Sequence, residues 1–221
     1  AAPDDASPLD GARTDTAIII YTSGTGGAPK GVMLSHGAIL SNCAGAQHLF
    51  RFVPFGHERF LSFLPLSHSY EHMAGQFLPL AIGAEIFYAG GLDTLAQDML
   101  DARPTIMTAV PRLYEVLKGR ISAAVARAKP LNQTLFNRAL AIGRKRLEAP
   151  QTLTWCERRL DPLLDIAVRQ KVAGRFGGQL RFLVSGGAPL NFEVGIFFAA
   201  LGVRILQGYG QTESSPVISC N

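Results

Sequence analysis

Cysteine, tryptophan and charge are all scarce in this sequence of 221 residues. The three cysteines, Cys43, Cys156 and Cys220, are odd in number and far apart. They exclude a disulfide framework and a CxxC zinc pair. They suit a reducing compartment, so a cytoplasmic protein is expected. No apolar run approaches the ~18 residues that a spanning helix needs. The richest stretch, Phe77 to Tyr88, is short and carries Glu85. The first residues show neither a basic n-region nor an apolar h-region, so no secretory leader is expected. Internal repeats and low-complexity tracts are absent. What is present is apolar: 48% hydrophobic residues against 17% charged, with a mean hydropathy of +0.17. That balance excludes a disordered chain, and the length is ample for a real core.

The formal charge of +4 hides an asymmetry. From Pro111 to Arg181 there are 15 basic and 5 acidic residues, a local net of +10. The remainder carries 6 basic and 12 acidic residues, a net of −6. Such a division points to a surface that meets an anionic partner. A solvated helical face is the plainer reading of the same charges.

Residues 1–14, rich in Pro, Asp, Ala and Gly, read as a flexible tail. Ala17 to Thr22 is β-branched and aromatic and reads as a strand. A Gly-rich turn follows, then a returning strand over Gly31–Leu34 and a helix over Gly37–Phe50. Further strands are expected at Arg59–Leu64, Ala84–Tyr88, Thr105–Val110, Leu180–Val184 and Val203–Leu206. Helices are expected at Ser69–Leu80, Leu92–Ala102, Pro111–Ala128 and Phe192–Leu201. The alternation predicts an α/β domain with a mostly parallel sheet flanked by helices. The rhythm breaks over 131–177, a basic insertion of two helices, around Leu131–Leu147 and Thr154–Phe176. Pro162 inside the second predicts a kink or a late start.

Four segments carry chemistry. The first, YTSGTGGAPKG at 21–31, places Gly24, Gly26 and Gly27 among Thr22, Ser23 and Thr25, with Lys30 beyond. Glycines let backbone N–H groups approach an anion, hydroxyls add donors, and a lysine supplies a point charge. The functional reading is a phosphate cradle on a β-hairpin tip, and the plainer one is a hairpin turn with an exposed lysine. It is not a Walker A loop, because Pro29 stands where that motif needs glycine and a strand follows instead of a helix. The second, LPLSHSYEH at 64–72, puts His68 at the carboxyl end of a strand, where open α/β sheets bind ligands. It also spells H-x-x-E-H through His68, Glu71 and His72. On a helix that pattern could hold zinc, as in a peptidase. The third, FLVSGGAP at 182–189, sets the small residues Gly187, Ala188 and Pro189 after a strand, where a flat ring can lie against backbone. The fourth, QGYGQTESS at 207–215, offers the Tyr209 ring between Gly208 and Gly210, the Thr212 hydroxyl, and Glu213 as a hard oxygen ligand for Mg²⁺. Glu213 stands where G-x-G-x-x-G needs its last glycine, so a dinucleotide fingerprint is excluded.

These segments resemble the adenylate-forming enzymes, which include acyl-CoA synthetases, luciferase and peptide-synthetase adenylation domains. The first is similar to that family's TSGTTGxPKG signature, with Gly26 in place of its second threonine. All four occur in family order from Tyr21 to Ser215. The run Val110-Pro111-Arg112-Leu113-Tyr114-Glu115, Glu71 after His68, and the long helical insertion resemble the long-chain fatty acyl-CoA synthetases.

The resemblance implies a partial AMP-binding domain over 15–221. It also implies ATP and Mg²⁺ as cofactors, a fatty acid or other carboxylate as substrate, and coenzyme A as co-substrate. In that scheme a carboxylate attacks the α-phosphate, and coenzyme A then displaces AMP. Thr22, Ser23, Gly24, Thr25, Gly27 and Lys30 would hold phosphates. Gly187, Ala188, Pro189, Gly208, Tyr209 and Gly210 would surround adenine. Thr212 would bond phosphate oxygen, Glu213 would hold the metal, and His68 would orient the carboxylate. Family members are longer, so this stretch is expected to be a central piece that does not make acyl-CoA alone. The alternatives are a nucleotide- or acyl-binding module without turnover and the zinc peptidase. No nucleic-acid partner is expected. The basic insertion suggests a peripheral contact with anionic lipid on the inner membrane surface.

Overall fold

The computed structural model describes residues 11–23, 28–49 and 56–221. Most of the expected tail and the loop residues Gly24, Thr25, Gly26 and Gly27 lie outside these. The β-branched run forms β1 (Thr16–Thr22), which pairs antiparallel with β2 (Lys30–Ser35). Thr22 sits opposite Lys30 as the last pair of the register. Helix α1 (His36–Leu49) follows and buries Ile39, Cys43 and Ala46 beside Ile20 and Leu34 of the hairpin.

Six strands make the main sheet: β3 (Arg59–Ser62), β4 (Glu85–Tyr88), β5 (Ile106–Ala109), β6 (Phe182–Ser185), β7 (Ile205–Gly210) and β8 (Val217–Cys220). Their order is β4-β3-β5-β6-β7-β8. The first five are parallel, and β8 adds an antiparallel edge. That edge strand was not expected from sequence. Pairing with it carries β7 on through Gly210, so the QGYG segment is strand rather than loop.

Successive strand residues face opposite sides of the sheet. Phe60, Ile106 and Phe182 meet on one side. Their neighbours Leu61, Met107 and Leu183 join the larger core on the other. The first side receives α2 (Ser69–Glu71), a π-helical turn over His72–Phe77, and α3 (Leu78–Ala81), which follow one another without a break over nearly the range expected for one helix. The second receives α4 (Leu95–Ala102), α5 (Pro111–Ala126), α6 (Pro130–Glu148), α7 (Trp155–Leu164), a π-helical turn over Asp165–Arg169, α8 (Gln170–Arg175) and α9 (Phe192–Ala200).

The basic helices pack into that larger core through Phe136, Ala139, Ile142, Leu164 and Val168. Helix α6 crosses α9 closely, and a Cβ at Gly143 would lie 2.3 Å from the Ala200 carbonyl oxygen. Arg169, only 3% exposed, donates to the Ala200 carbonyl at 3.0 Å and to Asp161 at 2.6 Å. Arg144 pairs with Glu148 and Glu193, Lys145 with Glu157, and Arg146 with Asp161. These four cations are thus paired within the helical layer, while the local excess of positive charge remains. Pro162 does not delay its helix. Thr154 and Glu157 form a reciprocal capping box, which starts α7 at Trp155, and the helix runs through the proline.

Candidate functional site

The carboxyl ends of β3, β5, β6 and β7 open on one cleft, as parallel sheets arrange their ligand sites. The chain leaves β3 through Leu64-Pro65-Leu66 and reaches His68. That residue is extended, with φ −87° and ψ 130°, and caps the following helix. Its Nδ1 accepts the Tyr70 backbone N–H at 3.2 Å. Neutral His68 must then carry its proton on Nε2, leaving that N–H as the donor available to a ligand.

The next three side chains are buried. Ser69 Oγ lies 3.0 Å from Thr212 Oγ1 and joins the two motif segments directly. The Tyr70 ring lies flat against Gly186, where a Cβ would fall 2.9 Å from it, and its hydroxyl donates to the Val184 carbonyl at 2.9 Å. Glu71 is wholly buried and accepts from Ser62 Oγ at 2.6 Å, Thr108 Oγ1 at 2.5 Å and the Phe63 N–H at 3.2 Å. It thereby ties the end of β3 to β5.

On the other wall, β7 delivers Gly208, Tyr209 and Gly210 into a single helical turn, Thr212–Ser214. That turn folds back so tightly that a Cβ at Gly210 would sit 1.8 Å from the Pro216 carbonyl oxygen. Gln211 N–H and Ser214 Oγ both donate to that same oxygen, at 3.0 and 2.6 Å. Asn42 from α1 clamps the outer side, donating to the Val217 and Ser214 carbonyls and accepting the Val217 N–H. The turn holds Thr212 half-buried and Glu213 exposed. No cation among the described residues pairs with Glu213.

Between these walls lies a cavity of about 330 Å³. Thr22, His68, Gly187, Gly208, Tyr209, Gly210, Thr212 and Glu213, all singled out in the sequence, line it. Its buried end is apolar, with Phe60, Met73, Leu78, Ile106 and Phe182. Ser23, Lys30, Ala188 and Pro189 are exposed and stand outside the lining. Gly24, Thr25 and Gly27 are outside the described residues. Sequence reading missed Ser69, Tyr70 and Asn42. The first two adjoin His68, but nothing in the order of residues tells that they face the fourth motif.

The family model of the AMP-binding enzyme matches residues 2–221. This chain belongs to the AMP-binding enzyme family. The AMP-binding chain is 39% identical over 207 residues to the peroxisomal long chain acyl-CoA synthetase 6 of Arabidopsis thaliana, covering 93% of itself and 28% of that protein. It is 36% identical over 210 residues to long-chain-fatty-acid–CoA ligase 1 of Homo sapiens, covering 93% and 29%. It thus spans less than a third of the length of these curated relatives. Its fold matches the ATP-bound MatB of Rhodopseudomonas palustris with a TM-score of 0.63 at 24% identity, over 96% of this chain and 32% of that one. It also matches the O-succinylbenzoate coenzyme A synthetase of Bacillus subtilis in complex with AMP, with a TM-score of 0.60 at 18% identity, over 95% and 40%. At these identities the likeness is one of fold, and it agrees with the expected α/β architecture.

The same geometry overturns the zinc reading for this AMP-binding chain. His68 is the extended N-cap of the helix, and its Nδ1 is taken up by the Tyr70 N–H. His72 Nδ1 instead bonds the Leu66 carbonyl at 3.0 Å, and Glu71 turns into the interior. Among the described residues no three His, Cys, Asp or Glu side chains gather as a metal cluster.

Glu71 also makes the AMP-binding domain sensitive to pH. Burial pushes its carboxyl above the ordinary 4.5, against the pull of its hydrogen-bond donors. The fold therefore favours the protonated form. Its stabilising contribution is fully present below pH 4.5 and is lost as the pH rises through the raised value. In urea titrations, stability should decline from pH 4.5 toward neutrality, and Glu71→Gln should flatten that decline. An equal slope in parent and variant would remove Glu71 as its source.

Proposed function

We propose that this chain forms the nucleotide and acyl site of an ATP-dependent long-chain fatty acid–CoA ligase. The observation that carries the reading is the shared cavity. One wall offers His68 and the Ser69–Thr212 pair, the other offers Tyr209, Thr212 and Glu213, and the floor is apolar. That combination suits an amphiphilic carboxylate meeting a nucleotide. The named activities of the curated relatives support the same chemistry.

The roles follow from each group's hydrogen-bonding capacity. The Nε2–H of His68 donates to the substrate carboxylate and aims it toward the α-phosphate. The Ser69 and Thr212 hydroxyls bond each other at 3.0 Å and either can donate; with Ser69 as the donor, the single Thr212 proton turns to a phosphate oxygen as charge develops there. Tyr209 offers a ring face to adenine, and the backbone at Gly187 admits it. Thr22 contacts phosphate from the end of β1, and Ser23, Gly24, Thr25, Gly27 and Lys30 are the further phosphate-holding residues. Phe60, Met73, Leu78, Ile106 and Phe182 receive the acyl chain. Joining two anions is limited by their repulsion and their alignment, so positioning and charge neutralisation supply most of the acceleration.

Mg²⁺ fits the donor set. A lone carboxylate at the cleft mouth, with no protein cage around it, is what this ion uses when phosphates provide its other ligands. Glu213 would hold it, and the ion would supply charge screening at the phosphates. Coenzyme A is the acceptor in the second half-reaction. A cytoplasmic site of action is supported by the three free cysteines. Among the described residues no helix is long and apolar enough to cross a membrane. The exposed cations of the helical layer favour a peripheral contact with anionic lipid.

The test is fatty-acid-dependent ATP–pyrophosphate exchange by the natural protein that carries this sequence. ATP binding without exchange for any carboxylate would leave a binding module instead. Ser69→Ala sharpens the result. Loss of one hydrogen bond to Thr212 should lower kcat about tenfold with KM for ATP nearly unchanged. A purely structural role would leave kcat intact once the variant is folded.

A further inference from the structure

A second hollow lies on the opposite side of the sheet from the cleft. It sits between α4, α5, α6 and α8 and has a volume of about 500 Å³. The cleft floor is built on Phe60, Ile106 and Phe182, whereas this hollow rests on Met99, Phe136, Val168 and Phe176 of the larger core. The sheet itself separates the two.

The walls of the hollow are apolar by design of the helices. Leu117, Ile121 and Val125 recur every fourth residue on α5 and form one stripe. Leu135 and Val172 face it from α6 and α8. These side chains pack against the larger core and stay partly exposed. Three cations, Arg120, Lys171 and Arg175, line the same space, and all three are exposed. Lys171 and Arg175 are four residues apart and share a helical face.

The contrast with their neighbours is informative. Arg144, Lys145, Arg146 and Arg169 of the same layer each have a carboxylate partner. Among the described residues, Arg120, Lys171 and Arg175 have none; Arg127, Lys129 and Arg138 also lack one but stand outside the hollow, which no acidic side chain lines. An apolar hollow edged by unneutralised positive charge matches a molecule with a hydrocarbon body and an anionic head. The volume lies in the ~300–1,000 Å³ range of small-molecule sites.

We infer that this hollow is a second acyl site, distinct from the nucleotide cleft, that takes one free long-chain carboxylate. The hydrocarbon lies along the α5 stripe, and Arg120, Lys171 and Arg175 hold the carboxylate at the edge. The site does not depend on the catalytic reading, since no residue is shared with the cleft.

Photolabelling with a diazirine-bearing long-chain carboxylate, mapped by peptide mass spectrometry, tests it in the natural protein. Labels are expected on peptides of α5 and α8. Combined R120E, K171E and R175E should reduce those labels about tenfold, since each exposed ionic contact contributes modestly. The variant should leave labels around Met73–Leu78 unchanged, and its circular dichroism should match the parent. An alcohol probe of equal length should label α5 and α8 about tenfold less as well. Labels confined to the cleft, or α5 and α8 labels indifferent to either change, would overturn the assignment. So would binding of phosphatidylglycerol vesicles through these cations without labelling by the free carboxylate, because the partner would then be a bilayer surface. Failure of cleft labelling alone would count against the proposed ligase instead, so the two readings fail separately.

Discussion

Glu213→Gln in the natural protein should lower fatty-acid-dependent ATP–pyrophosphate exchange about 100-fold, the usual scale for losing a charged transition-state stabiliser. The reason is electrostatic. Glu213 sits at the mouth of the cleft, exposed and without a cation partner among the described residues. Glutamine keeps the shape of the side chain and removes the negative charge that would hold Mg²⁺ against the phosphates. The surrounding turn should persist, because its hydrogen bonds run through Gln211, Ser214, Pro216 and Asn42 and not through the Glu213 carboxylate. Thermal stability should therefore match the parent within the ±0.5 kcal/mol typical of surface changes, roughly. Raising Mg²⁺ should recover part of the lost rate. Unchanged exchange would sink the metal role of Glu213.

Phe198→Ala should destabilise the fold by about 3–5 kcal/mol, the range for emptying a buried phenylalanine site. Phe198 is fully buried on α9. Its ring meets Tyr114 of α5 edge-on at 5.9 Å between centroids, Phe176 beyond α8 at 6.5 Å, and Phe197 at 5.3 Å. One side chain thus joins both ends of the basic stretch to the helix that leads into β7. The cavity left by alanine cannot collapse easily, because three separate elements would have to move together. The shift in the urea midpoint measures it. A loss below about 1 kcal/mol would show that the helical layer is not cooperative with the sheet.

Tyr114 adds a polar detail to the same layer. Burial pushes its hydroxyl far above the usual phenolic range, and the nearby Ser185 hydroxyl opposes that rise without reaching hydrogen-bond geometry. The pair sits at the end of β6, just before the Gly186-Gly187 turn.

The motifs and the α/β class could be read directly from residue order. Periodicity and β-branched runs located β1, β2, β5 and the helices to within a few residues, because those signals are local. Thr22, His68, Tyr209, Thr212 and Glu213, all of which line the cleft, could be named for the same reason: their side-chain chemistry is plain within each short segment. Where reading went astray, the deciding contact was distant. The strand β8 exists because Val217–Cys220 finds β7, and four residues carry too little pattern to announce it. The H-x-x-E-H spacing looked like a metal pattern, but Glu71 is turned into the interior and His72 Nδ1 bonds the Leu66 carbonyl.

The sequence by itself determined the family, the order of the four motifs and the charge asymmetry of +10 against −6. Those are properties of residue identity and local spacing. Only the tertiary structure decided three things. It set Ser69 within hydrogen-bond reach of Thr212 across 143 positions of chain. It fixed the tautomer of His68 through a backbone N–H. It also neutralised Arg144, Lys145, Arg146 and Arg169 while leaving Arg120, Lys171 and Arg175 unpaired around an apolar hollow. The physical reason is common to all three. Hydrogen bonds and ion pairs depend on distances of a few ångströms between groups that the chain order leaves far apart, and only folding sets those distances.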